Sequence, residues 1–242
     1  AVFSTVSAAS FLRDRPMAPG SIAAGFGENL AAATQVASST GGVPVSIGGV
    51  SVTVKDGNGV ERQAPLWFVS PTQINYYIAE ETALGAASVS VVRDAATVAA
   101  GTLTIERTAP GLFAMNADGQ GVPAAIAVLV RGDGTQSWQY VFNSGCQVGS
   151  CQPVPLDLGA ASDKVYLQLY GTGIRGRTSL GAISVTIGGV STPAEYAGGV
   201  QGMVGLDQVN ALIPRSLAGR GEVDVVVTVD GQTANTMRIN VK

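Results

Sequence analysis

Apolar and polar residues alternate along this chain in short runs. Val89 and Val91, and later Val223, Val225, Val227 and Val229, recur at every second position. Successive side chains of a strand point to opposite faces, so this period predicts strands with one buried face. The runs end in turn formers, Asp94 in one case and Asp230-Gly231 in the other. Asp56-Gly57-Asn58-Gly59 and Gly132-Asp133-Gly134 predict hairpin turns, because glycine and Asx residues accept positive φ. Helical periodicity is nearly absent, with one short helical turn predicted within residues 28–37.

The pattern predicts strands at 21–25, 43–47, 50–55, 66–70, 73–78, 87–93 and 103–106. A second series follows at 164–171, 183–187, 192–197, 208–213, 222–229 and 238–241. Between the two series, 122–130 and 136–142 predict a hairpin. Short strands at spacings of about 8–12 residues mark β-sandwiches. The chain is therefore predicted to be all-β. The expected organisation is an N-terminal strand segment (1–15), a first sandwich (16–112), a connecting hairpin and cysteine loop (113–159), and a second sandwich (160–242).

The two series share residues. Ser46-Ile47-Gly48-Gly49-Val50 and then Thr72-Gln73-Ile74-Asn75 return as Thr186-Ile187-Gly188-Gly189-Val190 and then Asp207-Gln208-Val209-Asn210. Ile47 to Ile187 is 140 positions and Gln73 to Gln208 is 135. This implies two copies of one domain, with Ile-Gly-Gly-Val as a tight turn between strands in each. Residues 1–10 have no evident counterpart in either copy, and show weak strand character through Val2, Phe3, Thr5 and Val6.

Composition narrows the function classes. The 242 residues are 46% hydrophobic but only 13% charged, against roughly 25% charged in an average globular protein. The net charge of −3 argues against a nucleic-acid partner. Residues 1–120 carry −3 and residues 121–242 carry zero, a split that is chance or the mark of a head-to-tail contact. No run of eighteen apolar residues predicts a membrane span. The chain begins at Ala1, as after removal of a signal peptide or in a trimmed chain. Few lysines, many small polar residues and a close cysteine pair point to an extracytoplasmic location. Cys146 and Cys151 have four residues between them, more than the usual redox spacing, and no histidine exists to complete a metal site. A small disulfide loop pinning a turn is expected, with free thiols as the alternative.

Further motifs carry a resemblance. Ala18-Pro-Gly-Ser-Ile, Phe26-Gly-Glu-Asn-Leu, Ala109-Pro-Gly-Leu-Phe, Gly119-Gln-Gly-Val, Gly171-Thr-Gly-Ile-Arg-Gly-Arg and Val204-Gly-Leu-Asp-Gln-Val-Asn occur in order. With the repeat, they resemble the Solibacter-type uncharacterised C-terminal domain family of Acidobacteria, from about Thr5 to Val241. The resemblance implies tandem immunoglobulin-like sandwiches of the IPT/TIG type and export from the cell. It implies no activity, cofactor or catalytic residue.

Candidate chemistry is sparse. Without histidine there is no Ser-His-Asp or Cys-His hydrolysis, and no pair of carboxylates stands out for glycoside cleavage. No enzymatic role, cofactor or metal is predicted. Asp56-Gly-Asn-Gly and Asn116-Ala-Asp-Gly-Gln-Gly faintly resemble calcium loops but each offers one carboxylate, so turns are favoured. Arg131-Gly-Asp sits in a turn and reads as coincidence. Gln73/Asn75 and Gln208/Asn210 each place two amides on one strand face; they either tie a loop to the sandwich or meet a ligand. Trp67, Trp138, Tyr76, Tyr77, Tyr140 and Tyr170 are core, or in part a sugar-stacking platform. Arg175, Arg177, Arg215 and Arg220 are a solvated loop surface, or meet Glu80 and Glu81 of a neighbouring subunit.

The leading expectation is a secreted structural protein that assembles with itself into a filament or surface layer. Subunits would join by strand addition through Val2, Phe3, Ser4, Thr5 and Val6, or by head-to-tail sandwich contacts. Deleting residues 1–10 is then expected to abolish assembly and leave folded monomers. An extracellular polysaccharide-binding or adhesion module, and a passive spacer, are the alternatives.

Overall fold

The computed structural model describes residues 1–38 and 42–242. The first nine strands are β1 (Ser4–Ser7), β2 (Ile22–Phe26), β3 (Gln35–Val36), β4 (Val50–Lys55), β5 (Glu61–Gln63), β6 (Leu66–Val69), β7 (Gln73–Tyr77), β8 (Gly85–Arg93) and β9 (Ala96–Ile105). They form a five-stranded sheet, β1-β2-β7-β6-β3, and a four-stranded sheet, β5-β4-β8-β9. Val50, Val52 and Val54 of β4, Ile74 and Tyr76 of β7, and Val89 and Val91 of β8 share one core. Period two puts those side chains on the inner faces.

Eleven strands follow: β10 (Gly111–Leu112), β11 (Ala125–Val130), β12 (Gln136–Tyr140), β13 (Pro155–Leu156), β14 (Lys164–Thr172), β15 (Ile183–Ile187), β16 (Val190–Gly199), β17 (Asp207–Leu212), β18 (Gly221–Val229), β19 (Gln232–Thr233) and β20 (Met237–Val241). One continuous ladder runs β12-β11-β14-β17-β16-β15-β18-β20-β13. It turns over on itself at β16, whose first half pairs with β15 and second half with β17. The two layers enclose a second core that includes Leu167, Leu169, Val185, Val209, Val225 and Val227. The protein is an all-β sandwich fold.

Three expectations are corrected. Residues 28–37 contain no helix; Gln35–Val36 is the edge strand β3 instead. Residues 43–47 form no strand beyond one bridge from Ile47 to Val50, where Pro44 has no N–H to donate. The strand expected at 103–106 is the ten-residue β9. Its Ala99-Ala100-Gly101 stretch has weak strand propensity, so pairing partners impose the conformation.

The repeat also aligns differently in space. The Ile-Gly-Gly-Val turn is real in both copies, with φ of 57° and 76° at Gly48 and Gly49 and 56° and 80° at Gly188 and Gly189. Positive φ at both central residues suits a two-residue hairpin turn. Yet it precedes β4 in the first copy and joins β15 to β16 in the second. The strand pairing with β8 is β4, and the strand pairing with β18 is β15. Ser51-Val52-Thr53 is therefore the counterpart of Ser184-Val185-Thr186, and β5 plus β6 the counterpart of β16. Both copies carry an irregularity at the same point, between Leu66 and Phe68 and between Ala194 and Tyr196. The Gln-x-Asn strands do correspond, since Asn75 pairs with Ala24 and Phe68 as Asn210 pairs with Gln168 and Tyr196.

The same registers give the N-terminal strand a counterpart. Val6 lies opposite Ala24 as Ile126 lies opposite Gln168, so β1 is the first copy's β11. The segment pairs within its own chain. Phe3 N–H donates to the Ala100 carbonyl, Ala100 N–H to the Ala1 carbonyl, and the Ala1 amino group to the Val98 carbonyl, at 2.8–3.0 Å. Phe3 is 2% exposed within the first core. Two strand glycines make room for it. A Cβ at Gly25 would stand 1.9 Å from the Phe3 ring, and one at Gly101 1.8 Å from the Phe3 carbonyl oxygen.

Candidate functional site

Each half has an outer sheet face carrying the repeated amides, and the two faces differ in what covers them. On the first, Val6, Ala8 and Ala24 are at most 9% exposed and form a small cluster with Phe11, Ile22 and Phe113. Phe113, from the segment after β10, reaches this cluster from the second half. Thr172 Oγ1 accepts the Ile22 N–H at 2.9 Å and donates to the Gly205 carbonyl at 2.7 Å. Arg175 bonds the Asp207 carboxylate through Nε at 2.7 Å and Glu80 through Nη1 at 2.6 Å. Asp207 is fully buried, and burial pushes its carboxyl above the ordinary value against the pull of the Ile174 N–H and the Arg175 guanidinium. Arg175 is thus neither a solvated loop residue nor, as in the alternative reading, a partner for Glu80 of a neighbouring subunit: it meets Glu80 within one chain. Arg215 is also committed, to the carbonyls of Leu158, Gly159, Ala160 and Asp163.

On the second half the matching face is open. Its rows follow from the registers. Trp138, Val128, Tyr166 and Leu212 form one row. Tyr140, Ile126, Gln168, Asn210 and Tyr196 form the next. Tyr170, Gln208 and Gly198 form a third. None of these side chains is charged. Trp138 is 62% exposed, Tyr140 44% and Tyr196 41%, and the other large side chains of the rows are half-buried. Five strands at about 4.8 Å spacing make the face about 19 Å wide.

The amide pairs close on themselves. Gln73 Nε2 donates to Asn75 Oδ1 at 2.9 Å, and Gln208 Nε2 to Asn210 Oδ1 at 2.7 Å. Both pairs are half-buried on the outer faces. Each pre-orients two amides and leaves the Gln carbonyl and the Asn amino group directed elsewhere.

At the margin of the open face, β12 ends the sheet and is exposed at every residue. Arg131 N–H donates to the Thr135 carbonyl and Val141 N–H to the Ala125 carbonyl, at 2.9 and 3.4 Å. Bonded and unbonded pairs alternate in an antiparallel ladder. The backbone groups of Gln136, Trp138 and Tyr140 therefore point off the sheet. Trp138 and Tyr140 lie 5.3 Å apart, edge to face at 76°, and Tyr140 and Phe142 lie 4.8 Å apart at 30°. The aromatic stripe is stepped rather than flat.

Beyond Tyr140 the edge is covered by the return of the cysteine loop, through Val154 N–H to the Val141 carbonyl and Asn143 N–H to the Gln152 carbonyl. The Cys146–Cys151 disulfide is formed, with Cα atoms 5.1 Å apart. Asn116 holds the loop down: its Oδ1 accepts the Gly149 and Cys151 N–H groups, and its Nδ2 donates to the Cys151 carbonyl. Asp56 is likewise occupied, accepting N–H groups of Asn58, Val60 and Ala83 and the Arg62 guanidinium. Among the described residues no group of three or more potential metal-ligating side chains converges.

Of the aromatics singled out from sequence, Tyr76 is buried and bonded to Thr5. Trp67 and Tyr77 pack edge to face in the first half. Trp138, Tyr140 and Tyr170 share the open face. Tyr166, Gln168 and Tyr196 had no separate signal, because only the strand register brings them into the rows. No helix among the described residues is long and apolar enough to cross a membrane. No protein-family model matches the chain, and no curated protein matches it.

Proposed function

We propose that the protein is an exported structural subunit that self-assembles by strand addition, with β12 as the strand that pairs. The carrying observation is its unguarded edge. Natural sheet edges are blunted by lysine, proline, bulges or a covering segment. Gln136-Ser137-Trp138-Gln139-Tyr140 has no charge and no proline, and its outward backbone groups face solvent. The N-terminal strand, β1 with the residues before it, is spent within its own chain. Export is supported by the disulfide and by the resemblance to the Solibacter-type domain, which belongs to the same reading.

Two copies of β12 can pair antiparallel about a two-fold axis, with Trp138 opposite its symmetry mate. Such an isologous contact closes at a pair. A filament or layer needs a second, head-to-tail contact. Sedimentation velocity across micromolar concentrations tests the pairing, and electron microscopy separates a closed pair from a growing assembly. Ser137→Lys/Gln139→Lys guards the edge and keeps the aromatic stripe. It is expected to sediment as a monomer with unchanged circular dichroism. A wild-type protein monomeric throughout, or a double variant that assembles as before, overturns the proposal.

A further inference from the structure

We infer that the open face of the second half binds a single chain of neutral polysaccharide. The inference compares two copies of one surface. Where the face is covered by protein, its positions are Val6, Ala24 and Ile22, small or aliphatic side chains suited to burial. The corresponding open positions are Ile126, Gln168 and Tyr166. Two of the three exchange an aliphatic group for one that combines flat or slender apolar surface with a hydrogen-bonding tip. The strand β12, which adds Trp138 and Tyr140, extends that same face.

This chemistry matches a sugar chain better than a protein surface. Sugar rings present apolar C–H faces that stack on aromatic rings, and hydroxyls around the rim that both donate and accept. Tyr166, Trp138 and Tyr140 supply rings. The self-bonded Gln208/Asn210 pair supplies fixed amides with spare donors and acceptors, and Gln168 adds a further amide beside it. The aromatic and amide side chains of the rows carry no charge, and the two cations beside them, Lys164 at the end of β14 and the Arg177 guanidinium near Gly198, stand at the margins, so the ligand inferred for the stripe itself is neutral. The 76° step between Trp138 and Tyr140 suits a chain whose units rotate relative to one another, rather than a flat crystalline surface. The face is distinct from the outward backbone edge of β12, so binding does not depend on self-pairing.

Native gel electrophoresis in gels containing hydroxyethyl cellulose, laminarin, dextran or, as an acidic control, alginate tests this. Retardation by at least one neutral polymer and not by alginate is expected. Trp138→Ala and Tyr166→Ala should each weaken binding by roughly tenfold or more, as truncation of an aromatic anchor does. Ser137→Lys/Gln139→Lys should bind as wild type does even when it no longer self-associates, which separates failure here from failure of the assembly proposal. No retardation by any neutral polymer, undiminished binding in both aromatic variants, or retardation by alginate alone overturns the inference. So does loss of self-association in the aromatic variants without any polysaccharide binding, which would make the face a protein contact.

Discussion

Phe3→Ala should unfold the first half far more readily than wild type, and the reason is specific. The ring is buried and sits in space left by Gly25, while Gly101 leaves room for the Phe3 carbonyl. Truncating a buried phenylalanine typically costs about 3–5 kcal/mol, because the cavity refills only partly. That is a large share of the total stability of a domain, about 5–15 kcal/mol. Gly25→Ala alone should also destabilise, since its Cβ would stand 1.9 Å from Phe3 Cζ and must displace the ring; overpacking of this kind costs about 1–3 kcal/mol. In the Phe3→Ala background the obstructing ring is gone, so the same change should cost much less. Urea denaturation of the four proteins, followed by fluorescence and circular dichroism, gives the coupling between the two sites. Residues in contact should couple by about 0.5–3 kcal/mol. Additive effects, or an unchanged midpoint for Phe3→Ala, would refute the placement of the leader in the core. The same placement reverses the outcome expected from sequence: removing residues 1–10 should compromise folding rather than release intact monomers.

Other tests probe separate contacts. Arg175→Ala should cost about 3–5 kcal/mol by stranding the buried Asp207 charge, whereas Glu80→Gln, at an exposed partner, should cost under about 1 kcal/mol; equal effects in thermal melts would contradict this. Asp56 is held down from the ordinary 3.8 to about 2, chiefly by its hydrogen bond from Arg62. A depressed folded-state value contributes stability above the unfolded value that is lost as pH falls toward the folded one. The first half should thus lose stability between about pH 4 and pH 2, and Asp56→Asn should flatten that slope in acid titrations of the melting temperature. Reducing the disulfide should cost no more than about 2 kcal/mol, because the loop is short and Asn116 still holds it, so the melting temperature should fall by only several degrees. Asn116→Ala combined with reduction should open the loop to hydrogen exchange, and protected amides at Gly149 and Cys151 in that variant would count against the clamp.

How much was legible depended on whether a feature is local. The valine alternation in β8 and β18 reports a buried face directly, so those strands were read closely. Only the end of the strand at 96–105 is legible in the sequence, because alanine and glycine at its centre carry no strand signal. Gly101 leaves room for the Phe3 carbonyl, a contact 98 residues distant in the chain. The Ile-Gly-Gly-Val match suggests a topological repeat because a hairpin turn looks alike wherever it stands. Only strand pairing shows that β4 and β15 are the true equivalents.

The candidate site divides the same way. Trp138 and Tyr140 stand in the sequence only among six aromatics that are core or, in part, a sugar-stacking platform; strand register puts these two on the open face. The sequence by itself determined the all-β class, the turn positions, the short cysteine loop and the presence of two related halves, since each rests on backbone preference or side-chain period within a few residues. The tertiary structure decided that the leader completes the first core, that Arg175 and Glu80 meet within one chain, and that one outer face is covered while its twin is open. Those depend on which distant segments pack together, and burial between distant segments leaves no periodic trace along the chain.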